Sequence, residues 1–168
     1  MARKHKVSPT NQTNVTNAPA DTLPATLTGV AGEYFVAAEL SRLGHIASIT
    51  LRNTKGVDII ACNQDASKSV AIQVKTNQLA KRGWVMNKKA EELVADNFFY
   101  VFVNLKDKHH QPDFHVVPSK VVARYVSQAH SHWLATPGKK GQLHTDHPMR
   151  GFADEKGEYL GQWDLLGL

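Results

Sequence analysis

The segment 98–105 constrains the fold more than any other part of the sequence, because it begins with the unbroken apolar run FFYVFV. A short run of aromatic and β-branched residues without glycine or proline is typical of a buried strand. The run is far shorter than the roughly 18 residues of a membrane-spanning helix. We therefore expect this segment to be a central strand of a sheet that carries helices on its faces.

Other segments on both sides of this strand have the periodicity of helices and strands. Gly44 is placed to end a first helix that Thr28 or Gly29 can cap, and Ser119 is placed to cap a later helix. The predicted elements are a helix at 28–43, strands at 45–51, 57–62 and 70–76, a short strand at 84–86, a helical segment at 88–95, a strand at 114–117 and a helix at 119–133. This order predicts the α/β (α+β) class, with a sheet flanked by helices.

The chain has 168 residues, which suits a single domain with its own core. We expect a flexible tail at 1–25 and one domain at 26–168, with its core at 28–135 and an irregular extension at 136–168. The single cysteine, Cys62, excludes an internal disulfide framework and a cysteine-based zinc site. With no hydrophobic segment after the basic start, this predicts an intracellular, cytoplasmic protein and no membrane partner. The net charge of +5 permits nucleic-acid binding without requiring it.

Two strands that are close in the sequence carry polar side chains that a buried sheet does not need. Strand alternation places Asp58 opposite Val57, and it places Gln73 and Lys75 together on one face of the next strand. Strands joined by so short a turn are most simply antiparallel neighbours. If they pair, a carboxylate, an amide oxygen and an ammonium gather at one edge of the sheet.

Glu33 adds a second carboxylate on the apolar stripe of the first helix, between Val30 and Ala37. Glu39 is turned away from this stripe and is expected to lie in solvent. Burying a carboxylate without a partner is costly, so Glu33 requires a cation, either Lys75 or a metal ion.

The strings NTKGVDII, at 53–60, and AIQVKT, at 71–76, resemble the PD-(D/E)XK nuclease superfamily, which has the restriction-endonuclease-like fold. The helix that bears Glu33 fits the same pattern, and the resemblance covers residues 28–105. It implies an αβββαβ core with a mixed central sheet. It also implies a metal-dependent nuclease that hydrolyses phosphodiester bonds in DNA, with RNA as another substrate class and a homodimer as a common assembly.

The resemblance also implies a role for each residue of the site. Asp58, Glu33 and Gln73 match the positions that bind Mg²⁺ or Mn²⁺, and Lys75 matches the lysine that orients the attacking water. Gln73 departs from the family pattern, which has Asp or Glu there, so the site has one negative charge fewer. The alternative function is a catalytically inactive nuclease-fold module that binds nucleic acid or a protein partner.

Several basic or polar residues near these strands are candidates for contact with nucleic acid. The positions are Arg52, Asn53, Lys55, Lys81 and Arg82. Each also fits a solvated turn. Trp84 suits a stacked base or, more commonly, a core position.

Simpler interpretations of the other candidates remain open. Asp58 can cap a turn, Lys75 can extend to solvent along the sheet edge, and Glu33 can complement the start of its helix. The segment 144–147, with the sequence HTDH, contains transition-metal ligands but no recognised zinc spacing. Its histidines are therefore expected to be exposed loop residues.

Overall fold

The computed structural model describes residues 22–51, 56–78 and 83–168. The helices and strands are α1 (Ala25–Arg42), β1 (Ile46–Ile49), β2 (Ile59–Cys62), β3 (Ser69–Gln78), β4 (Trp84–Asn87), β5 (Phe98–Leu105), β6 (Asp113–Pro118), α2 (Ser119–Ala135) and β7 (Met149–Phe152). Two short 3-10 helices span Lys88–Glu91 and Trp163–Leu166. No helix in this part of the chain is long and apolar enough to cross a membrane.

Five strands form one sheet in the order β1-β2-β3-β5-β6. β3 and β5 are parallel, and the other neighbouring pairs are antiparallel. β5 is an inner strand, and β2 and β3 are antiparallel neighbours, as the sequence predicts. The predicted α/β class with a mixed sheet and flanking helices is confirmed.

Both faces of the sheet are buried at β5, which explains why this strand is apolar without alternation. Towards α1, Val101 of β5 packs in a cluster with Val36 and Leu40 of the helix. Towards α2, Tyr100 packs in a second cluster with Val126. Each face of β5 is therefore core, and a polar residue on either face would be buried.

The predicted helix at 88–95 is a single 3-10 turn, Lys88–Glu91, so this prediction is wrong in extent. The Asn87 side chain accepts a hydrogen bond from the Lys89 N–H and caps the turn. Ala90 is its one buried residue, whereas Leu93 and Val94 are exposed. A segment anchored by one small side chain gains too little from packing to extend into a helix.

The extension at 136–168 is not wholly irregular, because it contains β7 and a 3-10 helix. β7 pairs antiparallel with β4 in a separate two-stranded sheet. The inward residues of β7 are Arg150 and Phe152. An arginine at an inward position hides the alternation of apolar and polar residues from which a strand is predicted.

Ser119 does not cap α2 as predicted. Pro118 occupies the N-cap position, and Ser119 is the first helical residue. The Ser119 hydroxyl donates to the Ala95 carbonyl at 2.9 Å and accepts from the Ala95 N–H at 3.2 Å. It therefore ties the start of α2 to the loop before β5.

Candidate active site

Asp58 immediately precedes β2 and is held by two backbone hydrogen bonds of its own and by one on the residue before it. Its N–H donates to the Ile72 carbonyl of β3, and its carbonyl accepts from the Thr50 N–H, both at 2.9 Å. The Thr50 hydroxyl donates to the Val57 carbonyl at 2.7 Å. The residues after β1 thus fix the entry into β2 and with it the position of Asp58.

The Asp58 side chain reaches the backbone of β3 beside Gln73. Its Oδ2 accepts a hydrogen bond of 2.7 Å from the Val74 N–H, which belongs to the peptide bond after Gln73. Burial raises the pKa of Asp58, and this effect is opposed by the Val74 hydrogen bond and by the positive charge of Lys75. Among the described residues, the carboxylate is therefore only partly compensated.

Glu33 reaches the same place from α1 because the helix lies directly against β3. A Cβ atom at Gly32 would lie 1.9 Å from Thr76 Oγ1, so only glycine fits at this contact. At its start, α1 is also attached to the end of β3, since Leu23 N–H donates to Gln78 Oε1 at 2.9 Å and Gln78 Nε2 donates to the Leu23 carbonyl at 2.8 Å. Both contacts set the position of Glu33 over the sheet.

Glu33 and Asp58 line one cavity of about 280 Å³, together with Thr50 and residues of the first turns of α1. The two carboxylates that the sequence predicts to converge therefore face a common space. The expectation that Glu39 lies in solvent is only partly correct, because its side chain pairs with Arg42 at 2.6 Å.

Lys75 lines an adjoining cavity of about 290 Å³ with Thr28 and Trp84. Ala25 of α1 lines both this cavity and the one that contains Glu33 and Asp58. Gln73 lines neither cavity. Its side chain makes no hydrogen bond within the parts of the chain that are described.

The remaining candidates fall into two groups. The residues Arg52, Asn53, Lys55, Lys81 and Arg82 lie outside the described residues. Trp84 is a core residue, 5% exposed, and its Nε1–H donates to the Val103 carbonyl at 2.9 Å. It is therefore not available as a stacking surface.

The histidines near the C-terminus form contacts that spacing alone does not reveal. His130 Nε2 and Asp146 Oδ1 are 2.7 Å apart, and the His144 ring stacks on Trp133 with centroids 4.0 Å apart. His130 and Trp133 are not among the predicted site residues, although they lie three residues apart on a predicted helix. Among the described residues, no group of three or more His, Cys, Asp and Glu side chains is arranged to hold a metal ion.

No protein-family model and no curated protein matches the sequence. Solved structures that are similar to this chain include an archaeal and a bacterial protein. The Holliday junction resolvase Hjc of the archaeal hyperthermophile Archaeoglobus fulgidus is 13% identical with a TM-score of 0.43, and the match covers 75% of this chain and 84% of that one. The bacterial homing endonuclease I-Ssp6803I is 15% identical with a TM-score of 0.48, and the match covers 86% and 92%.

Both matches have a TM-score below 0.5, with identities of 13% and 15%, so neither bears on what this chain does. Likeness at this level concerns the course of the backbone, whereas activity depends on the side chains of a site.

Proposed function

We propose that this chain is a metal-dependent nuclease that hydrolyses phosphodiester bonds in DNA. The observation that carries the proposal is the shared cavity of Glu33 and Asp58, with the charge of Lys75 acting on Asp58. The two carboxylates and the ammonium come from α1, from the residue before β2 and from β3. The packing of the sheet does not need charged groups at these positions.

The donors suit Mg²⁺ or Mn²⁺, which bind hard oxygen ligands. Burial raises the pKa of Asp58, so a cation in the cavity would stabilise its ionised form. Of the two carboxylate oxygens, Oδ2 takes the hydrogen bond from Val74, and Oδ1 takes none from the described residues. Asp58 and Glu33, which line the cavity, would hold the ion. The amide oxygen of Gln73, which does not line the cavity, is the third ligand that the motif implies.

A bound divalent ion polarises the phosphate and makes water a stronger nucleophile at neutral pH. Asp58, fixed by the Val74 N–H, would hold the ion in place, since a carboxylate alone repels a phosphate. The Lys75 ammonium donates hydrogen bonds to the phosphate oxygens or the attacking water and offsets the negative charge that develops there. Glu33 supplies the second negative charge of the cavity.

Basic and polar side chains before Asp58 and before β4 are candidates for binding the substrate. Arg52, Asn53 and Lys55 directly precede the site in the sequence, and Lys81 and Arg82 precede Trp84. We propose that they contact backbone phosphates, which position a duplex without reading its sequence.

Gln73 supports a second candidate function, a nuclease-fold module that binds nucleic acid without cutting it. With Gln73, the two carboxylates supply a charge of −2, where an acid at this position would give −3. The missing charge weakens metal binding. If no metal is held, the protein would bind nucleic acid without cleaving it.

The test measures cleavage of labelled linear, single-stranded and branched DNA with Mg²⁺, with Mn²⁺ or with chelator, and the same RNA sequences give the comparison of substrates. We expect metal-dependent cleavage, which Lys75→Ala lowers by about 100-fold or more. Lys156→Ala, which removes a lysine with an 83% exposed side chain, is the matched control and should cleave as wild type does.

Absence of cleavage of every substrate by the folded wild-type chain would contradict the nuclease proposal. Salt-dependent DNA binding that survives Lys75→Ala would then support the binding module instead.

A further inference from the structure

A groove of about 540 Å³ lies between α2 and the β4–β7 sheet. Its volume is within the range of about 300–1,000 Å³ that is typical of ligand sites. Tyr125, Ala129 and Trp133 line it from α2, at positions that share one side of the helix, and Met149 and Phe152 line it from β7. The groove is thus bounded mainly by aromatic and apolar surface.

Trp133 is held in place by its neighbours rather than by burial. Its ring is stacked with His144 at 4.0 Å and with His130 at 5.4 Å between centroids. His130 is fixed in turn by Asp146 at 2.7 Å. Trp133 and His130 line the groove and His144 does not, so the groove presents a rigid aromatic surface on which a planar ring can stack at low entropic cost.

The groove adjoins the candidate active site. Gly83, Trp84 and Val85 line both the groove and the cavity that contains Lys75. A strand bound at Lys75 therefore has nucleotides beside β4, within reach of the groove. The segment 106–150 has seven basic and three acidic residues, including the exposed Lys120 and Arg124 of α2, which suits a polyanion.

We propose that this groove binds an unpaired base of single-stranded DNA that extends from the cleavage site, with Trp133 as the stacking surface. The proposal rests on the proposed nuclease function and adds a substrate class to it. Bases within a duplex have their faces covered by their neighbours, so only an unpaired base offers a free face to the indole.

The experiment measures the dissociation constants of a fluorescent single-stranded oligonucleotide and of a duplex of the same length, with chelator present so that neither is cut. Ala129→Leu fills the groove from an exposed position of α2. Gln128→Leu makes a similar change at the neighbouring exposed position, which does not line the groove. Trp133→Leu removes the aromatic face, and Trp133→Phe retains one.

We expect Trp133→Leu and Ala129→Leu to weaken single-strand binding by about tenfold or more. Duplex binding should be unchanged, Trp133→Phe should lose less than Trp133→Leu, and Gln128→Leu should behave as wild type. Thermal unfolding checks that each variant is folded. Ala129→Leu removes no contact, so it tests the groove even if a Trp133 variant unfolds.

Equal single-strand affinity of Ala129→Leu and Gln128→Leu would overturn the proposal, as would an equal loss for single strand and duplex. An RNA oligonucleotide that binds more tightly than the DNA would overturn the choice of DNA. These outcomes are independent of cleavage. Groove-dependent binding without cleavage contradicts only the nuclease activity, and cleavage without groove-dependent binding contradicts only this inference.

Discussion

Two aspartates of this protein lie beside basic groups, yet their environments act in opposite directions. Asp58, beside Val74 and Lys75, has a raised pKa because burial outweighs the hydrogen bond and the positive charge. Asp146 has a lowered pKa, chiefly because of the hydrogen bond with His130. Ionisation of Asp58 therefore costs free energy in the folded chain, whereas the ionised form of Asp146 is stabilised by its neighbours.

This difference separates a structural ionic network from a site that is suited to a ligand. Asp146 lies 3.8 Å from the Lys88 ammonium and 3.7 Å from the Arg150 guanidinium, and Arg150 also pairs with Glu91. These charges compensate one another and join α2, β7 and the 3-10 turn after β4. Around Asp58 the described residues supply less positive charge than the carboxylate requires, and a divalent cation would supply the rest.

The largest expected effect comes from removing each carboxylate in turn. Asp58→Asn should lower metal-dependent DNA cleavage by about 100-fold or more, since it removes a proposed metal ligand. Asp146→Asn should leave cleavage of a duplex close to wild type, because Asp146 belongs to the structural network. Initial rates on one labelled duplex, with circular dichroism of each variant, provide the measurement. Equal losses in the two variants would contradict the distinction between the two aspartates.

The sequence predicts the sheet and the convergence of the carboxylates because both depend on local rules. Strand alternation places Asp58 and Lys75, and helical spacing places Glu33 over the sheet. The close contact of Gly32 with Thr76, and the hydrogen bond from Val74 to Asp58, depend on long-range packing. Neither contact can be predicted from the spacing of residues in the sequence.

The C-terminal third shows the opposite case, in which local rules give the wrong answer. Arg150 is inward-facing and buried, because Glu91 and backbone carbonyls compensate its charge. His130 and Trp133 belong to a cluster with the loop at 144–147 that forms only when the chain folds back on α2. A pattern of single residues cannot predict such compensation.

A smaller effect is expected from restoring the acid that the family pattern has at Gln73. Gln73→Glu adds a third carboxylate beside Asp58, and the added charge should tighten Mn²⁺ binding by about tenfold. Gln128→Glu adds the same charge on the exposed surface of α2 and should change the affinity little. Isothermal titration with Mn²⁺ measures both dissociation constants. Equal tightening in both variants would show a general charge effect, and no tightening in Gln73→Glu would exclude Gln73 as a ligand position.

The smallest effect, on thermal stability, has opposite signs at the two aspartates. Between the ordinary Asp pKa of 3.8 and the raised pKa of Asp58, the folded chain binds more protons than the unfolded chain, so stability falls as pH rises through this window. Ionised Asp58 therefore lowers stability at pH 7 in chelator, and Asp58→Asn should raise Tm there.

Asp146 has a lowered pKa, so its contribution to stability is present above pH 3.8 and is lost as pH falls through the folded pKa. Asp146→Asn should accordingly lower Tm at pH 7. Both shifts should vanish at a pH below both pKa values of each group. Scanning calorimetry at neutral and acidic pH measures them, and shifts of the same sign would mean that the two carboxylates do not differ as their surroundings indicate.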